Sequence, residues 1–373
     1  MKNIVFFVES MHCGGAERSL LSLLANIDQS KYKIDLLVIN KGGEFEKFIP
    51  SYVTYKSTDT KFGFVGRLKY KLFRKFLKKR HNAQFFWKAF KGSIPNYEKK
   101  YDIAVAWGQG FATYFTAEKI LADKKFAWVN IDYEKAGYKY EYDQHIYQKF
   151  KRIVGVSDFV KESMQKFIPL DKVTSIRNII DIDDVIKRAN ADIKEGFNAD
   201  KINIVSIGRL AKQKAFDLSI EAAKILNERK IGFCWYIIGE GSERDYLESL
   251  IVKYGLEKKI KLLGFRDNPY PYVKNADIYV QTSLFEGLGR TLIEASILCK
   301  PVVTTNFPTA FGILRHNETG IITEMEPNSI ASSIISLIDN PDLKEKIITN
   351  LKNQVDNEKE ITLQQIDELF NTI

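Results

Sequence analysis

The chain has 373 residues, of which 45% are hydrophobic and 28% are charged, and its formal net charge is +9. This length predicts two domains or slightly more, and the composition is that of an ordinary globular protein. The three scattered cysteines show no metal or redox spacing, and no apolar run reaches the length of a signal-peptide core or a membrane span, so we expect a cytoplasmic protein that does not cross a membrane.

Short apolar runs alternate with helical patterns along the chain. The runs predict strands at 4–8, 34–39, 103–107, 126–130, 153–156, 202–207, 233–238, 260–263, 278–281 and 302–305, and the periodic segments predict helices at 16–27, 160–167, 217–229, 243–254, 291–298 and beyond 329. Such alternation indicates parallel sheets with right-handed crossovers. The two series of elements predict an α/β protein with two Rossmann-like domains, whose parallel sheets face each other across a cleft.

The joint between the two domains is predicted at 178–200. This segment is rich in Asp, Asn and Lys and contains no core-forming strand. We therefore expect a first domain over 1–180 and a second over 181–357. A last helix is expected at 358–373, where apolar residues from Leu363 to Phe370 recur at helical spacing.

The first glycine turn follows the first predicted strand. Gly14 and Gly15 open the helix at 16–27, where glycines and the free N–H groups of a helix start suit an anion. A nicotinamide-binding enzyme would show Gly-x-Gly-x-x-Gly here and an acid after the second strand. Neither is present, which argues against an oxidoreductase.

The basic character of the chain is concentrated in one segment. Between Thr60 and Tyr97 there are eleven Lys or Arg residues and no Asp or Glu, so this segment carries +11 and the remainder carries −2. Apolar residues recur there at helical intervals, with Lys71, Lys75, Lys78 and Lys79 largely opposite; they are Val65, Leu68, Leu72, Phe73, Phe76 and Leu77. The pattern predicts a cationic amphipathic helix.

Three interpretations of this basic segment remain open. Its apolar face could pack on the first domain with the charges simply solvated. The helix could dock on an anionic membrane leaflet through residues 61–91. It could also bind nucleic acid, although no known nucleic-acid motif appears. We favour the membrane and expect no nucleic-acid partner.

Positive side chains follow the first predicted strand of the second half. Gly208 and Arg209 come directly after strand 202–207, and Lys214 precedes the next helix. Ligands of open α/β sheets bind at the carboxyl ends of strands. A guanidinium and an ammonium at that edge suit a diphosphate, although a surface cation pair is the alternative.

Two further glycine junctions follow in the same half. Gly239 and Gly241 lie between strand 233–238 and a helix, and they either approach a ligand or only shape a tight turn. Gly264 and Arg266 follow strand 260–263 in a short loop.

The most informative segment runs from Glu286 to Glu294. The two carboxylates stand eight positions apart, and Gly287, Leu288 and Gly289 form a turn between a strand and a helix. Such a turn offers unpaired N–H groups to a phosphate, whereas carboxylates accept hydrogen bonds from sugar hydroxyls. A ligand with both groups is a nucleotide sugar. The alternative is a pair of solvated acids on a helix flank.

Together these segments resemble the retaining glycosyltransferases of family 4, which have a two-domain GT-B fold and a Glu-x7-Glu motif. The resemblance covers nearly the whole second half and the beginning of the first, and it is weak over 44–101. Ala215 stands where the family usually has glycine, and Asn130 stands where many relatives carry a histidine near the sugar.

The resemblance implies roles for individual residues. Arg209, Lys214 and Glu286 would be catalytic, with Glu286 near the donor sugar. The implied donor-binding residues are Gly14, Gly15, Gly208, Gly239, Arg266, Gly287, Leu288, Gly289 and Glu294, of which Glu294 would bind the ribose and Arg266 would lie by the base. Asn130 and Asp132 are candidates for the acceptor side, and the last helix would cross back to the first domain.

The expected function is transfer of a sugar, with retention, from a nucleotide diphosphate sugar to a hydroxyl of a glycan, lipid-linked or cell-wall polymer acceptor. A uridine-linked donor is favoured, and no cofactor or metal is expected. The first domain would bind the acceptor and the second the donor, at the inner face of the membrane. The alternatives are a nucleotide-sugar epimerase and a nucleic-acid-binding protein that uses residues 60–97.

Overall fold

The computed structural model describes residues 1–12, 14–58, 60, 62–76, 81–193, 196–354 and 358–372. The chain forms two compact units, one of Met1–Ile179 with Asn357–Ile373 and the other of Ile180–Asp356. Some residues of the predicted motifs lie outside the described part, namely Cys13, Lys61, Leu77, Lys78, Lys79 and Arg80, together with the side chain of Phe76.

The first unit is built on a seven-stranded sheet in which all neighbours are parallel. Its strands are Lys2–Phe7 (β1), Tyr32–Val38 (β2), Thr54–Ser57 (β3), Tyr97–Trp107 (β4), Ile120–Val129 (β5), Arg152–Gly155 (β6) and Val173–Ser175 (β7). Their order is β3-β2-β1-β4-β5-β6-β7. The order reverses between β1 and β4, the place where open α/β sheets leave a crevice for ligands.

In the described part of the unit, helices connect these strands. They are Gly15–Asn26 (α1), Phe64–Phe76 (α2), Asn82–Phe90 (α3), Phe111–Lys119 (α4), Tyr140–Tyr147 (α5) and Asp158–Gln165 (α6). The helices α2 and α3 stand between β3 and β4, within the basic segment.

The second unit repeats the plan with six parallel strands. They are Ile202–Ile207 (β8), Phe233–Ile238 (β9), Ile260–Gly264 (β10), Ile278–Gln281 (β11), Val302–Thr305 (β12) and Ile321–Thr323 (β13), in the order β10-β9-β8-β11-β12-β13. The helices are Ile182–Ala189 (α7), Phe216–Glu228 (α8), Arg244–Lys253 (α9), Tyr270–Asn275 (α10), Arg290–Ile297 (α11), Pro327–Asp339 (α12) and Pro341–Lys352 (α13). The switch point of this sheet lies between β8 and β11.

The composition of β9 shows why this sheet is parallel and buried. All six of its residues, Phe233–Ile238, are buried, so both faces of the strand are covered by helices. The indole of Trp235 donates a hydrogen bond to Ser206 Oγ at 2.9 Å, which satisfies its polar atom inside the core.

A last helix, Glu358–Asn371 (α14), packs on the first unit. The ring of Phe370 contacts the rings of Phe6, Tyr32 and Phe126, with centroid separations of 6.4, 5.9 and 5.6 Å. At its carboxyl end Lys2 donates to the carbonyl of Phe370 at 3.2 Å. A cation at the end of a helix is stabilised by the carbonyls that have no intrahelical partner.

The helix α2 packs on α3 through aromatic side chains. The ring of Tyr70 lies 5.7 Å from the ring of Phe86 and 6.5 Å from that of Phe90. Phe62, just before α2, lies 5.0 Å from the ring of Phe90. A side chain at Gly66 would place its Cβ 2.3 Å from Phe90, so glycine is needed for this close approach. No helix in the described part of the chain is both long and apolar enough to cross a membrane.

The face of α2 that contacts α3 differs from the sequence-based expectation. Phe73 was expected on one apolar face with Leu68 and Leu72, but it lies on the α3 side, where the ammonium of Lys88 is 5.2 Å from its ring. Leu68 and Leu72 are exposed instead. Phe73 shares this side of α2 with Tyr70, whose ring contacts the rings of Phe86 and Phe90 of α3.

Candidate functional site

The predicted donor-side residues of the second unit lie at the carboxyl edge of its sheet. Gly208 and Arg209 follow β8, Gly239 follows β9, Gly264 ends β10 and Glu286 follows β11. Because all these strands are parallel, their carboxyl ends lie at one edge, and β8 and β11 flank the switch point. A ligand of this sheet would therefore meet these residues.

An ion pair between Lys214 and Glu286 lies at the centre of this edge. The Nζ of Lys214 is 2.5 Å from Oε1 of Glu286, and the two side chains are only 16% and 11% exposed. The aliphatic stem of Lys214 runs over Gly208, where an added Cβ would lie 3.0 Å from Cε. Since an ammonium has three donors, one bond to Glu286 leaves two for a ligand.

Arg209 provides a second positive group beside this pair. Its side chain is exposed, and within the described part of the chain its guanidinium makes no hydrogen bond or ion pair. Its neighbour Leu210 is fixed, because the N–H of Leu210 donates to the carbonyl of Glu240 at 2.9 Å. The backbone therefore holds Arg209 at the sheet edge while its donors remain available to an anion.

The carboxylate of Glu286 is oriented by two neighbouring side chains. Oε1 accepts hydrogen bonds from Ser283 Oγ at 2.6 Å and from Gln281 Nε2 at 3.1 Å, in addition to Lys214. Gln281 is itself fixed, since its Oε1 accepts from Thr291 Oγ1 at 3.0 Å. Among the described residues no group bonds to Oε2 of Glu286, so that oxygen can accept a hydrogen bond from a hydroxyl.

The turn that carries Lys214 is joined to the loop that carries Glu286. Gln213 Nε2 donates to the carbonyl of Phe285 at 2.8 Å, and the N–H of Leu284 donates to the carbonyl of Gln213 at 2.8 Å. Thr282 Oγ1 donates to the carbonyl of Lys214 at 3.0 Å. These bonds explain why two residues that are distant in sequence keep a fixed separation.

Ala215 stands in a backbone conformation that favours glycine. Its φ is +45° and its ψ is 50°, in the left-handed region, at the junction of the Lys214 turn and α8. The left-handed region costs a residue with a Cβ about 1–2 kcal/mol. Ala215 therefore carries local strain that a glycine would not have.

The backbone at Gly239 requires a glycine. Its φ is +147°, and an added Cβ would lie 1.9 Å from the carbonyl oxygen of Gly208. Its N–H donates to the carbonyl of Gly264 at 3.0 Å. The glycine thus allows the ends of β8, β9 and β10 to approach closely, while contact between Gly239 and a donor stays a prediction.

The loop at Arg266 lies next to this junction. Gly264 has a φ of +74°, and a Cβ there would lie 2.9 Å from Oε1 of Glu240 and 3.9 Å from Nη1 of Arg266. The guanidinium of Arg266 donates to the carbonyl of Phe265 at 3.1 Å. The predicted role of Arg266 beside a base stays a prediction.

The turn after Glu286 ends in a helix start, as predicted for a phosphate site. Gly289 has a φ of +73° and precedes α11, and Gly287 and Leu288 are buried beside it. An added Cβ at Gly289 would lie 2.9 Å from Ile313. The helix start offers N–H groups that lack an intrahelical partner.

Glu294 occupies a different environment from Glu286. Its carboxylate is buried, and Oε1 accepts from Arg290 Nε and from the hydroxyl of Tyr270, each at 2.8 Å. Burial alone would lower the pKa of Arg290, but the charge of Glu294 offsets it, and the pKa is raised above its ordinary value. The proposed contact of Glu294 with a ribose would have to form alongside this ion pair.

The remaining predicted residues belong to the first unit. Gly14 precedes α1 in an extended conformation, and at Gly15 an added Cβ would meet no atom within 4 Å. Asn130 Oδ1 accepts from Asn178 Nδ2 at 2.9 Å. Asp132 closes a turn, since its Oδ1 accepts from the N–H groups of Glu134 and Lys135 at 3.1 Å.

Sequence reasoning missed the residues whose hydrogen bonds position Lys214 and Glu286. Gln281, Ser283 and Gln213 were not identified, although each bonds directly to the Lys214 turn or to the Glu286 loop. The sequence offered one signal: Ser283 lies three positions before Glu286, close enough for its hydroxyl to reach the carboxylate. In the described part of the chain no three His, Cys, Asp or Glu side chains are grouped so that they could hold a metal ion.

Residues 187–354 match the protein family described as Glycosyl transferases group 1. One curated relative is the N-acetylgalactosamine-N,N'-diacetylbacillosaminyl-diphospho-undecaprenol 4-alpha-N-acetylgalactosaminyltransferase of Campylobacter jejuni, 31% identical over 50% of this chain and 50% of its own. Another is the poly(ribitol-phosphate) alpha-N-acetylglucosaminyltransferase of Staphylococcus aureus, 29% identical over 53% of this chain and 39% of its own. The chain thus spans about half the length, or less, of these relatives.

Solved structures resemble the chain over its whole length. One is a TarM mutant of S. aureus, in complex with Fondaparinux, alpha-GlcNAc-glycerol and UDP. Its TM-score is 0.74 at 15% identity, and the match covers 100% of both chains. HepE from Anabaena, in complex with UDP and glucose, has a TM-score of 0.71 at 19% identity, with both chains covered completely. WaaG, a glycosyltransferase involved in lipopolysaccharide biosynthesis, has a TM-score of 0.66 at 14% identity over 99% of this chain and 100% of its own.

These similarities establish the fold. With two parallel-sheet α/β units of seven and six strands, the chain has a GT-B fold, and the predicted fold class is confirmed. The family match and the relatives' names support a glycosyltransferase and favour transfer over epimerisation.

Proposed function

We propose that this chain is a retaining glycosyltransferase of family 4 that moves a sugar from a UDP-sugar to a hydroxyl of a glycan, lipid-linked or polymer acceptor. The observation that carries the proposal is the 2.5 Å pair of Lys214 and Glu286 at the switch point of the second sheet. The pair places a phosphate-binding cation and a hydroxyl-binding carboxylate side by side, as a nucleotide sugar requires.

The donor chemistry follows from the charges at this edge. Arg209 and Lys214 would bind the diphosphate, the N–H groups before α11 would bind its distal phosphate, and Oε2 of Glu286 would accept from a sugar hydroxyl. Uridine is favoured as the base because two of the similar structures contain UDP. Glu294 would bind the ribose, and the loop at Arg266 would hold the base.

The reaction would use the leaving group itself as the base. The bond between the anomeric carbon and the phosphate oxygen breaks, the acceptor oxygen attacks from the same face, and its proton passes to the departing phosphate. Negative charge grows on that phosphate as the bond breaks. Arg209 and Lys214 therefore stabilise the transition state more than the bound donor, which is the condition for catalysis.

The acceptor class rests on the relatives. One is named for an undecaprenol-linked diphospho-sugar and another for poly(ribitol phosphate). We place the acceptor-binding residues in the first unit, with Asn130 and Asp132 as candidates. The donor-binding residues lie in the second unit, except for Gly14 and Gly15, which belong to the first.

The experiment is a transfer assay with labelled UDP-sugars and a panel of lipid-linked and polymer acceptors. We expect a labelled product with the anomeric configuration of the donor. An isomerised UDP-sugar without transfer would instead support the epimerase, and inversion in the product would refute the retaining mechanism.

Gln281→Leu tests the orientation of Glu286. The substitution removes the amide that donates to Glu286 Oε1, and a hydrogen bond to a charged group contributes about 1.5 kcal/mol. We expect kcat to fall about tenfold, with the affinity for UDP unchanged because UDP lacks the sugar. Kinetics with the donor and calorimetry with UDP measure the two quantities. Gln365→Leu, at an exposed glutamine of α14, is the matched control, and equal losses in UDP affinity and kcat would contradict this role.

A further inference from the structure

The helix α2 has a second apolar face that is exposed. Its four apolar residues are strongly exposed: Phe64 is 81% exposed, Val65 66%, Leu68 52% and Leu72 46%. On a helix with 3.6 residues per turn they fall within an arc of about 100°. Gly66, Tyr70 and Phe73, the residues toward α3, lie on the opposite side of the same helix.

A contiguous apolar stripe of this kind marks an interaction surface. Single exposed apolar side chains are normal on a globular protein, but four in one stripe leave a patch that water covers unfavourably. The inner face already anchors α2 on α3, through Tyr70 and Phe86 among others. The outer stripe is therefore not needed to hold the helix in place.

The charges around the stripe indicate what it binds. Arg67, Lys69, Lys71, Arg74 and Lys75 give α2 five basic residues, and the helix has no acidic residue. Lys69 borders one side of the stripe and Lys71 the other. Long basic side chains that flank an apolar stripe can rest their stems on it and extend their charged ends toward anions.

We propose that the outer face of α2 docks on an anionic lipid surface. Phe64, Leu68 and Leu72 enter the boundary between headgroups and acyl chains, and Lys69 and Lys71 contact lipid phosphates. This occupant fits both the apolar and the basic groups. A nucleic acid would leave the leucines in water, and a second copy of the chain would bring two basic helices together.

The proposal goes beyond sugar transfer and does not depend on it, because binding to vesicles needs no donor and no acceptor. The probe is a set of vesicles of phosphatidylcholine alone or mixed with phosphatidylglycerol, sedimented with the 373-residue chain. We expect binding to the mixed vesicles and little binding to phosphatidylcholine alone.

Two variants separate the apolar from the electrostatic part. Leu68→Gln with Leu72→Gln removes apolar contact without changing charge, and we expect binding to fall at least about tenfold. Lys69→Gln with Lys71→Gln removes two charges, and the expected loss is about fivefold for each charge. Matched controls are Val252→Gln, at a residue 63% exposed in the second unit, and Lys258→Gln, at an exposed lysine, and both should bind like the unaltered chain.

The outcomes are decisive because all these positions are exposed and should not change the fold, which thermal melting verifies. Unchanged vesicle binding in the leucine variant would overturn the proposal. Loss of self-association, measured by analytical ultracentrifugation, with vesicle binding intact would show a second copy as the occupant. Binding to RNA or DNA that depends on the lysines but not on the leucines, without vesicle binding, would identify a nucleic acid instead and also overturn it.

Discussion

Lys214→Ala and Arg209→Ala are each expected to lower kcat by about a hundred- to a thousandfold. Each substitution removes a positive donor from the place where charge grows on the leaving phosphate, and the loss of one such donor has effects of this size. Lys214→Ala also frees Oε1 of Glu286 from its 2.5 Å partner, so this variant should show the larger loss. Steady-state kinetics with the donor measure kcat, and thermal melting verifies the fold.

The neighbouring lysine supplies the matched control. Lys212 lies in the same turn but is exposed, and Lys212→Ala should leave kcat within about twofold of the unaltered chain because it removes a charge that is well solvated. If Lys212→Ala lost as much activity as Lys214→Ala, the loss in both variants would come from the lower net charge and not from a contact of Lys214 with the phosphate. Near-normal turnover in Arg209→Ala and Lys214→Ala would remove the proposed phosphate site.

Gly239→Ala is expected to destabilise the second unit strongly. The new Cβ would lie 1.9 Å from the carbonyl oxygen of Gly208, and the φ of +147° is strained for any side chain. Relief requires the ends of β8 and β9 to separate, and we expect a loss of about 3 kcal/mol in the free energy of unfolding. This corresponds to a fall of about 10 °C in Tm, and calorimetry measures it.

A second glycine of the same unit is the control for this substitution. At Gly232 an added Cβ meets no atom within 4 Å, so Gly232→Ala should change the stability by less than about 1 kcal/mol. A Gly239→Ala variant as stable as Gly232→Ala would show that β8 and β9 do not approach as closely as described.

The alternation of apolar runs and helical patterns was sufficient to predict the architecture. Buried parallel strands such as Phe233–Ile238 have no polar face, and so they appear as continuous apolar runs. The strands that the sequence analysis missed are Thr54–Ser57, Val173–Ser175 and Ile321–Thr323, which lie at the outer edges of their sheets. They have four residues or fewer, too short for a pattern to separate them from loops.

The site could be predicted only where charged residues and glycines stand close together in sequence. Arg209, Lys214 and Glu286 were identified from such patterns, and the structure brings Lys214 and Glu286 into contact. Gln281 and Gln213 could not be found in this way, because their roles depend on hydrogen bonds between segments that are distant in sequence.

The amphipathic helix shows a different limit. Periodicity located the helix, but it could not tell which of two apolar faces would be covered, since both Phe73 and Leu72 fit a helical stripe. The covered face is the one that carries Tyr70, because Tyr70 contacts the rings of Phe86 and Phe90, which come from another helix.

The most direct test is a crystal structure of the chain with UDP. The account predicts that diphosphate oxygens lie within about 3 Å of the Arg209 guanidinium and the Lys214 ammonium, at the carboxyl end of Ile202–Ile207. A UDP bound elsewhere, with neither group in contact with a phosphate, would contradict it.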